Sequence, residues 1–115
     1  MEILPEVEVW YALPALRRAL AEELQTKGLS QKEIADKLEL APSAVNQYLQ
    51  GKRGASKLPK KIHKHIQEAA TNLAEGAEPK QELMKLTTLL RETKAICEIH
   101  AQHAEIPTNC DYCFK

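Results

Sequence analysis

The stretch GLSQKEIADKLELAPSAVNQYLQGKRG, residues 28–54, has the clearest structural pattern in this chain. Within it, Ser30 and Glu33 have the three-residue spacing of a helix-capping pair. Apolar residues then recur at helical period; they are Leu29, Ile34, Ala35 and Leu38. The pattern predicts a short helix from about Ser30 to Leu38.

A second short helix is predicted to begin at Pro42 or Ser43, because proline suits the first turn of a helix, and to end before Gly51. Its apolar side carries Val45, Tyr48 and Leu49, and its other side carries Ser43, Asn46, Gln47 and Gln50. Two short helices joined by a tight turn form a helix-turn-helix. Short uncharged donors and acceptors suit the reading of base edges in a major groove, and the cations of the following GKRG suit phosphate.

This segment resembles the helix-turn-helix of phage-repressor and XRE-type transcriptional regulators, in which SQxxIAxxLGLxxSxVxxYLxGKR recurs. The resemblance implies that Gln31 lies against the DNA backbone and that Gln50 lies near phosphate. It also implies that Ser43, Asn46 and Gln47 face bases. The residues expected to bind DNA are Gln31, Ser43, Ala44, Asn46, Gln47, Gln50, Lys52, Arg53, Lys60 and Lys61.

Two residues depart from the family pattern. Glu39 stands where the family usually has glycine, in the left-handed conformation that closes the first helix. Pro42 stands where a base-reading polar residue is common, so direct readout from that position is not expected. The alternative is that the two helices are simply a helical hairpin in an α-bundle.

Composition and charge limit the possible functions. The chain has 115 residues, rich in helix formers and with zero formal net charge, so attraction to nucleic acid depends on local asymmetry. Residues 52–64 hold six Lys or Arg and no acid. No nucleophile with a base, carboxylate pair or phosphate-binding glycine loop is apparent, which argues against an enzyme. The chain has no signal-peptide pattern and no stretch of transmembrane length, so we expect a cytoplasmic protein.

The remaining segments predict an all-α helical bundle. Residues 1–12 fit either a strand-like arm or an early helix. One helix is predicted from Leu13 to about Thr26 and a fourth from about Pro59 to Glu75. Residues 76–78, with Gly76 before Pro79, are a predicted hinge, which divides the chain into a DNA-binding domain (1–75) and a C-terminal part (76–115). The leader and first helix also resemble those of small archaeal regulators, although Glu6 replaces a cysteine that is common there.

A long helix is predicted from Pro79 to about Ala101. Its apolar stripe has the alternating spacing of a coiled-coil seam; the residues are Leu83, Leu86, Leu90 and Cys97. A homodimer would hold two recognition helices about one DNA turn apart. Packing of the same stripe onto its own chain is the alternative.

The last 19 residues contain a cluster of possible metal ligands. Its members are Cys97, His100, His103, Cys110 and Cys113. Three cysteines with one histidine make a tetrahedral structural zinc set, with His100 the better-placed imidazole and His103 the alternative. An iron-sulfur cluster prefers four cysteines, so it would need a histidine, another chain or an open iron site. A metal-free pair, Cys110 with Cys113, is the third possibility.

Together these features predict a sequence-specific DNA-binding transcriptional regulator with a C-terminal metal- or redox-responsive site. The alternative is a transcription coactivator that bridges proteins and carries structural zinc. The polar side of the second helix and the basic run at residues 52–64 favour a DNA-binding function. The zero net charge is also compatible with the coactivator alternative.

Overall fold

The computed structural model describes residues 4–102, and every regular element in that range is helical. The elements are α1 (Leu4–Val7), a π-helical turn (Glu8–Ala12), α2 (Leu13–Thr26), α3 (Gln31–Leu38), α4 (Pro42–Leu49), a 3-10 turn (Lys60–Ile62), α5 (His63–Ala74), α6 (Pro79–Glu92) and α7 (Ala95–Ala101). The predicted all-α class is confirmed. The metal-binding tail predicted at the C-terminus falls largely beyond the described residues.

The N-terminal segment is helical rather than a strand-like arm, and it runs without interruption into α2. The π-helical turn ends at Ala12, just before Leu13 and Pro14; a proline has no N–H, and in a regular α-helix its ring would clash with the carbonyl four residues earlier. A wider turn, in which the Leu13 N–H bonds to the Glu8 carbonyl, relieves that clash. Val7 and Ala12 reach the core, whereas Trp10 stays 55% exposed.

The predicted capping pair opens α3. The Glu33 N–H donates to Ser30 Oγ at 3.2 Å, and the Ser30 N–H donates to Glu33 Oε1 at 3.1 Å. The hydrogen bond from the Ser30 backbone, followed by that from its hydroxyl, holds the pKa of Glu33 below its ordinary value. At the other end Glu39 has φ 55° and ψ 44°, so a glutamate takes the left-handed position expected there.

Helix α4 runs from Pro42 to Leu49, as predicted, with proline in its first turn. Val45 and Tyr48 are buried, and Leu49 packs against the core while partly exposed. The helix-turn-helix is therefore confirmed in its bounds and in its buried side.

Helix α2 occupies the centre of the bundle and contacts α3, α4, α5 and α6. Leu16, Leu20 and Leu24 are completely buried along one side. From α5, Ile66 and Leu73 pack into the same core. This core packs against the buried side of the helix-turn-helix, and the opposite side of α4 faces solvent.

The C-terminal helix differs from its prediction, because the chain breaks it at Thr93 and Lys94. The Thr93 hydroxyl donates to the Leu89 carbonyl at 2.8 Å and accepts the Ala95 N–H at 3.4 Å. Such local bonds compete with the helix ladder. Lys94 then takes φ 59°, a left-handed conformation that ends α6 and starts α7 in a new direction.

The predicted coiled-coil seam is also corrected. Leu86 and Leu90 are 3% and 0% exposed, and they pack into the core together with Ile96 and Ile99 of α7. The stripe therefore packs back onto its own chain. The division near residue 76 remains a prediction, but helices on both sides of it contribute to one core.

Two polar contacts join α6 to the rest of the bundle. Arg91 forms a two-pronged ion pair with Glu8, with Nη2 at 2.8 Å from Oε2, and this contact raises the pKa of Arg91. Glu82 is 3% exposed and accepts a 2.7 Å hydrogen bond from Asn72 Nδ2, while Lys85 Nζ lies 3.0 Å from its other oxygen. Burial pushes the pKa of Glu82 upward, but the bonds from Asn72 and Lys85 outweigh burial and keep the pKa below its usual value.

Candidate DNA-binding surface

The outer side of α4 is polar. Ser43 is exposed, while Ala44, Asn46 and Gln47 are partly exposed on a helix whose opposite side is fixed by Val45 and Tyr48. A helix held this way presents its outer side chains at fixed positions. The surface can therefore enter a groove of DNA and donate or accept hydrogen bonds there.

Three side-chain amides meet where α3 approaches α4. Asn46 Oδ1 accepts hydrogen bonds from Gln31 Nε2 at 3.4 Å and from Gln50 Nε2 at 3.2 Å. Three of the residues expected to bind DNA are thus brought into direct contact, which we call the amide cluster. The sequence predicts a separate DNA contact for each of Gln31, Asn46 and Gln50. It gives no sign that their side chains contact one another.

The segment after α4 supplies positive charge. Lys52 and Arg53 are exposed, and within residues 4–102 neither has a carboxylate at ion-pair distance. Lys60, at the start of the 3-10 turn, is also exposed. Cations that no acid neutralises within the described chain remain available to phosphate.

The chain passes against α2 at Gly54. Its φ is 72°, and a Cβ there would lie 2.5 Å from the Pro14 carbonyl oxygen and 2.9 Å from Arg18 Cβ. Arg18 Nη1 also donates to the Gly54 carbonyl at 3.4 Å. Only glycine allows this close approach, so Gly54 fixes the path of the basic segment after Arg53.

Lys61 has intramolecular partners. Its Nζ lies 2.7 Å from Glu98 Oε2 and donates to the Thr93 carbonyl at 3.0 Å. One of the lysines expected to contact phosphate therefore stabilises the junction between α6 and α7 in this structure. Both side chains of the pair are about half exposed, at 46% and 56%, so solvent screens their attraction.

Sequence reasoning missed the contribution of α7 to this surface. Gln102 Nε2 donates to the Lys57 carbonyl at 2.7 Å, and Gln102 Oε1 accepts the Lys57 N–H at 2.8 Å. The residues are 45 positions apart, and a lone glutamine at a helix end gives no sign of such a partner. Glu98 was missed for the same reason.

Two of the predicted metal ligands lie on α7. Cys97 is partly exposed and His100 is 4% exposed. His103, Cys110 and Cys113 lie outside the described residues. Within residues 4–102, no three His, Cys, Asp or Glu side chains are placed to hold a metal ion, and the predicted ligand set remains a prediction.

Comparisons with known proteins bear on the α3 and α4 region. Residues 20–57 match the family model described as helix-turn-helix. The searches of curated proteins and of solved structures found no significant match. Across the described helices, none combines the length and the apolar character needed to cross a membrane. The match spans the end of α2, both motif helices and the basic segment to Lys57, so the chain carries an XRE-type helix-turn-helix, the domain of a DNA-binding regulator.

Proposed function

We propose that this protein is a sequence-specific transcriptional regulator whose α4 enters the major groove of DNA. Ser43 and Gln47 would contact base edges, and the methyl group of Ala44 suits contact with a thymine methyl. Lys52 and Arg53 would contact the phosphates beside the groove. Phosphate contacts supply most of the affinity, and the base contacts on α4 supply the selectivity.

One observation carries this proposal. Lys52 and Arg53 come shortly after the end of α4 at Leu49, are exposed, and have no carboxylate at ion-pair distance within residues 4–102. With equal numbers of acids and bases in the chain, cations left unneutralised beside a polar helix give the local asymmetry that a polyanion needs. A helical hairpin with only a structural role has no need of such an arrangement.

The test is a binding series on a random duplex at several salt concentrations, followed by selection of preferred sites from a random pool. We expect the logarithm of affinity to fall linearly with the logarithm of salt concentration, and each of Lys52→Ala and Arg53→Ala to reduce that slope by about one. Lys80→Ala, which removes an exposed lysine on α6, is the matched control and should leave the slope unchanged. If the protein binds no duplex even at low salt, the DNA-binding proposal is wrong and the alternative of a coactivator that bridges proteins is favoured.

A second part of the proposal concerns the C-terminal ligand set. We propose a zinc site formed by Cys97, His100, Cys110 and Cys113, supported by donor types that match a structural tetrahedral set. Metal analysis and an absorption spectrum of anaerobically purified protein test it. Zinc without visible absorption is expected, and Cys113→Ser should remove it. A visible spectrum with iron would instead indicate an iron-sulfur cluster, and a protein without either metal would favour a dithiol.

A homodimer remains part of the proposal, because paired half-sites require two recognition helices. Leu86 and Leu90 cannot form its interface, since both are used within the chain. Sedimentation of the full chain with and without a selected site measures the state directly. A chain that sediments as a monomer both alone and on DNA with a single half-site would show that the homodimer proposal is wrong.

A further inference from the structure

The amide cluster contains an oxygen whose hydrogen-bonding capacity is used up. An amide oxygen has two lone pairs, and Asn46 Oδ1 accepts one hydrogen bond from Gln31 Nε2 and another from Gln50 Nε2. In this arrangement Gln31 and Gln50 both present their NH₂ groups to Asn46, so its amide oxygen faces them. With both glutamines in this orientation, an Asn46 amide turned over would place its NH₂ group against two other NH₂ groups.

The state of Oδ1 decides what Asn46 can recognise. Asparagine reads adenine with both ends of its amide, because the oxygen accepts from the adenine N6 amino group while the nitrogen donates to N7. With Oδ1 engaged by Gln31 and Gln50, only the two N–H groups of Nδ2 remain. A donor alone suits an acceptor, such as a phosphate oxygen or the O6 and N7 atoms of guanine.

We infer, on the basis of the proposed DNA-binding function, that Asn46 contacts DNA as a hydrogen-bond donor only and does not read adenine. Gln31 and Gln50 are positioning residues in this contact, since they hold the Asn46 amide in one orientation. Base selectivity on α4 then depends on Ser43 and Gln47. Within residues 4–102, the Gln47 side chain makes no hydrogen bond with another amide.

The test compares Asn46→Ala with Asn46→Asp in the full chain, on a site selected by the unaltered protein and on a random duplex. Asp keeps an oxygen that can accept from Gln31 and Gln50, but it has no donor and adds negative charge. Loss of one neutral donor should weaken binding about fivefold in the Ala variant without changing the salt slope. The Asp variant should bind more weakly still.

The affinity loss of Asn46→Ala on different DNA sequences identifies the group that accepts the hydrogen bond from Asn46. An equal loss on the selected and random duplexes identifies a phosphate, whereas a loss confined to sites with one guanine identifies the O6 and N7 edge. Gln47→Ala is the control, and it should lose affinity on the selected site alone. The double variant Gln31→Ala/Gln50→Ala should gain tolerance for adenine at the contacted position if that position is a base.

Three outcomes overturn the inference. They are relaxed selectivity at an adenine in Asn46→Ala, an Asp variant that binds better than the Ala variant, and no loss in either variant. Each of these still leaves a DNA-binding protein. Absence of duplex binding by the unaltered chain would overturn the proposed function as well, so the two failures can be told apart.

Discussion

Gln102 forms two hydrogen bonds with the backbone of Lys57: its Nε2 donates to the Lys57 carbonyl at 2.7 Å, and its Oε1 accepts the Lys57 N–H at 2.8 Å. Gln102, which directly follows α7, thereby holds the basic segment that comes after α4. The C-terminal helix therefore contacts the proposed DNA-binding surface directly, within the same chain. This contact does not depend on a dimer.

Removal of this contact should weaken DNA binding without changing which sequences are preferred. Gln102→Ala leaves the basic segment to be ordered on binding, and ordering one residue costs about 1 kcal/mol, or about fivefold in affinity. Fluorescence anisotropy on selected and random duplexes measures the effect. Gln81→Ala, at an exposed glutamine of α6, should bind as the unaltered chain does; equal affinities of both variants would mean that other contacts hold the segment.

Lys61 should contribute less to DNA binding than Lys52 does. Its ammonium group already contacts the Glu98 carboxylate and the Thr93 carbonyl, so Lys61→Ala should reduce the salt slope by clearly less than the value of about one expected for Lys52→Ala. Glu98→Gln should raise affinity, because it releases the lysine. That gain should disappear in the Lys61→Ala background, and a gain that persists would indicate a general charge effect.

Glycine 54 should tolerate substitution much less than Gly76. Both have positive φ, but a Cβ at Gly54 would collide with Pro14 and Arg18, whereas nothing lies within 4 Å of a Cβ at Gly76. Gly76→Ala should add about 1 to 2 kcal/mol of backbone strain, of which the smaller freedom of alanine in the unfolded chain offsets about half, and Gly54→Ala should cost about 1 to 3 kcal/mol more than Gly76→Ala. Urea unfolding gives both values, and equal destabilisation would mean that the contact with α2 relaxes freely.

Glu39→Gly should stabilise the protein. The left-handed conformation costs a non-glycine residue about 1 to 2 kcal/mol, and the extra freedom of glycine in the unfolded chain offsets about half, which leaves a gain of about 0.5 to 1 kcal/mol. Glu75 is the matched control, since it also follows a helix but has φ −85°. Glu75→Gly should lower the melting temperature, and a rise in both variants would point to charge rather than to backbone conformation.

Acid should destabilise the fold partly through Glu82. Because its pKa is lower in the folded chain, the unfolded chain binds the proton more readily. The stability that Glu82 contributes is therefore complete above the ordinary glutamate pKa of about 4.3 and is lost as pH falls through the folded value. Glu82→Gln should cost about 1 kcal/mol at pH 7 and flatten the decline of stability in acid. An unchanged acid profile would assign the decline to other carboxylates.

The sequence was informative where structure depends on neighbours along the chain. The Ser30 and Glu33 spacing, Pro42 at the start of α4 and the glycines after it predicted the motif to within a residue. The break at Lys94 could not be predicted, because neither glycine nor proline marks it and a threonine side chain makes the competing bonds. The amide cluster and the Gln102 contact depend on segments brought together only by folding, so sequence spacing carries no trace of them.

The shared core limits how this protein can be cut or recombined. Leu86, Leu90, Ile96 and Ile99 are all buried in it, and burying side chains of this size contributes about 1.5 to 3 kcal/mol each, or about 6 to 12 kcal/mol together. That sum is comparable with the whole stability of a small domain, about 5 to 15 kcal/mol. A fragment ending at residue 75 would expose the apolar sides of α2 and α5 that contact α6, and we expect it to be less stable than the full chain. We therefore expect α3 and α4 to keep their packing in another protein only when α6 and α7 are transferred with them.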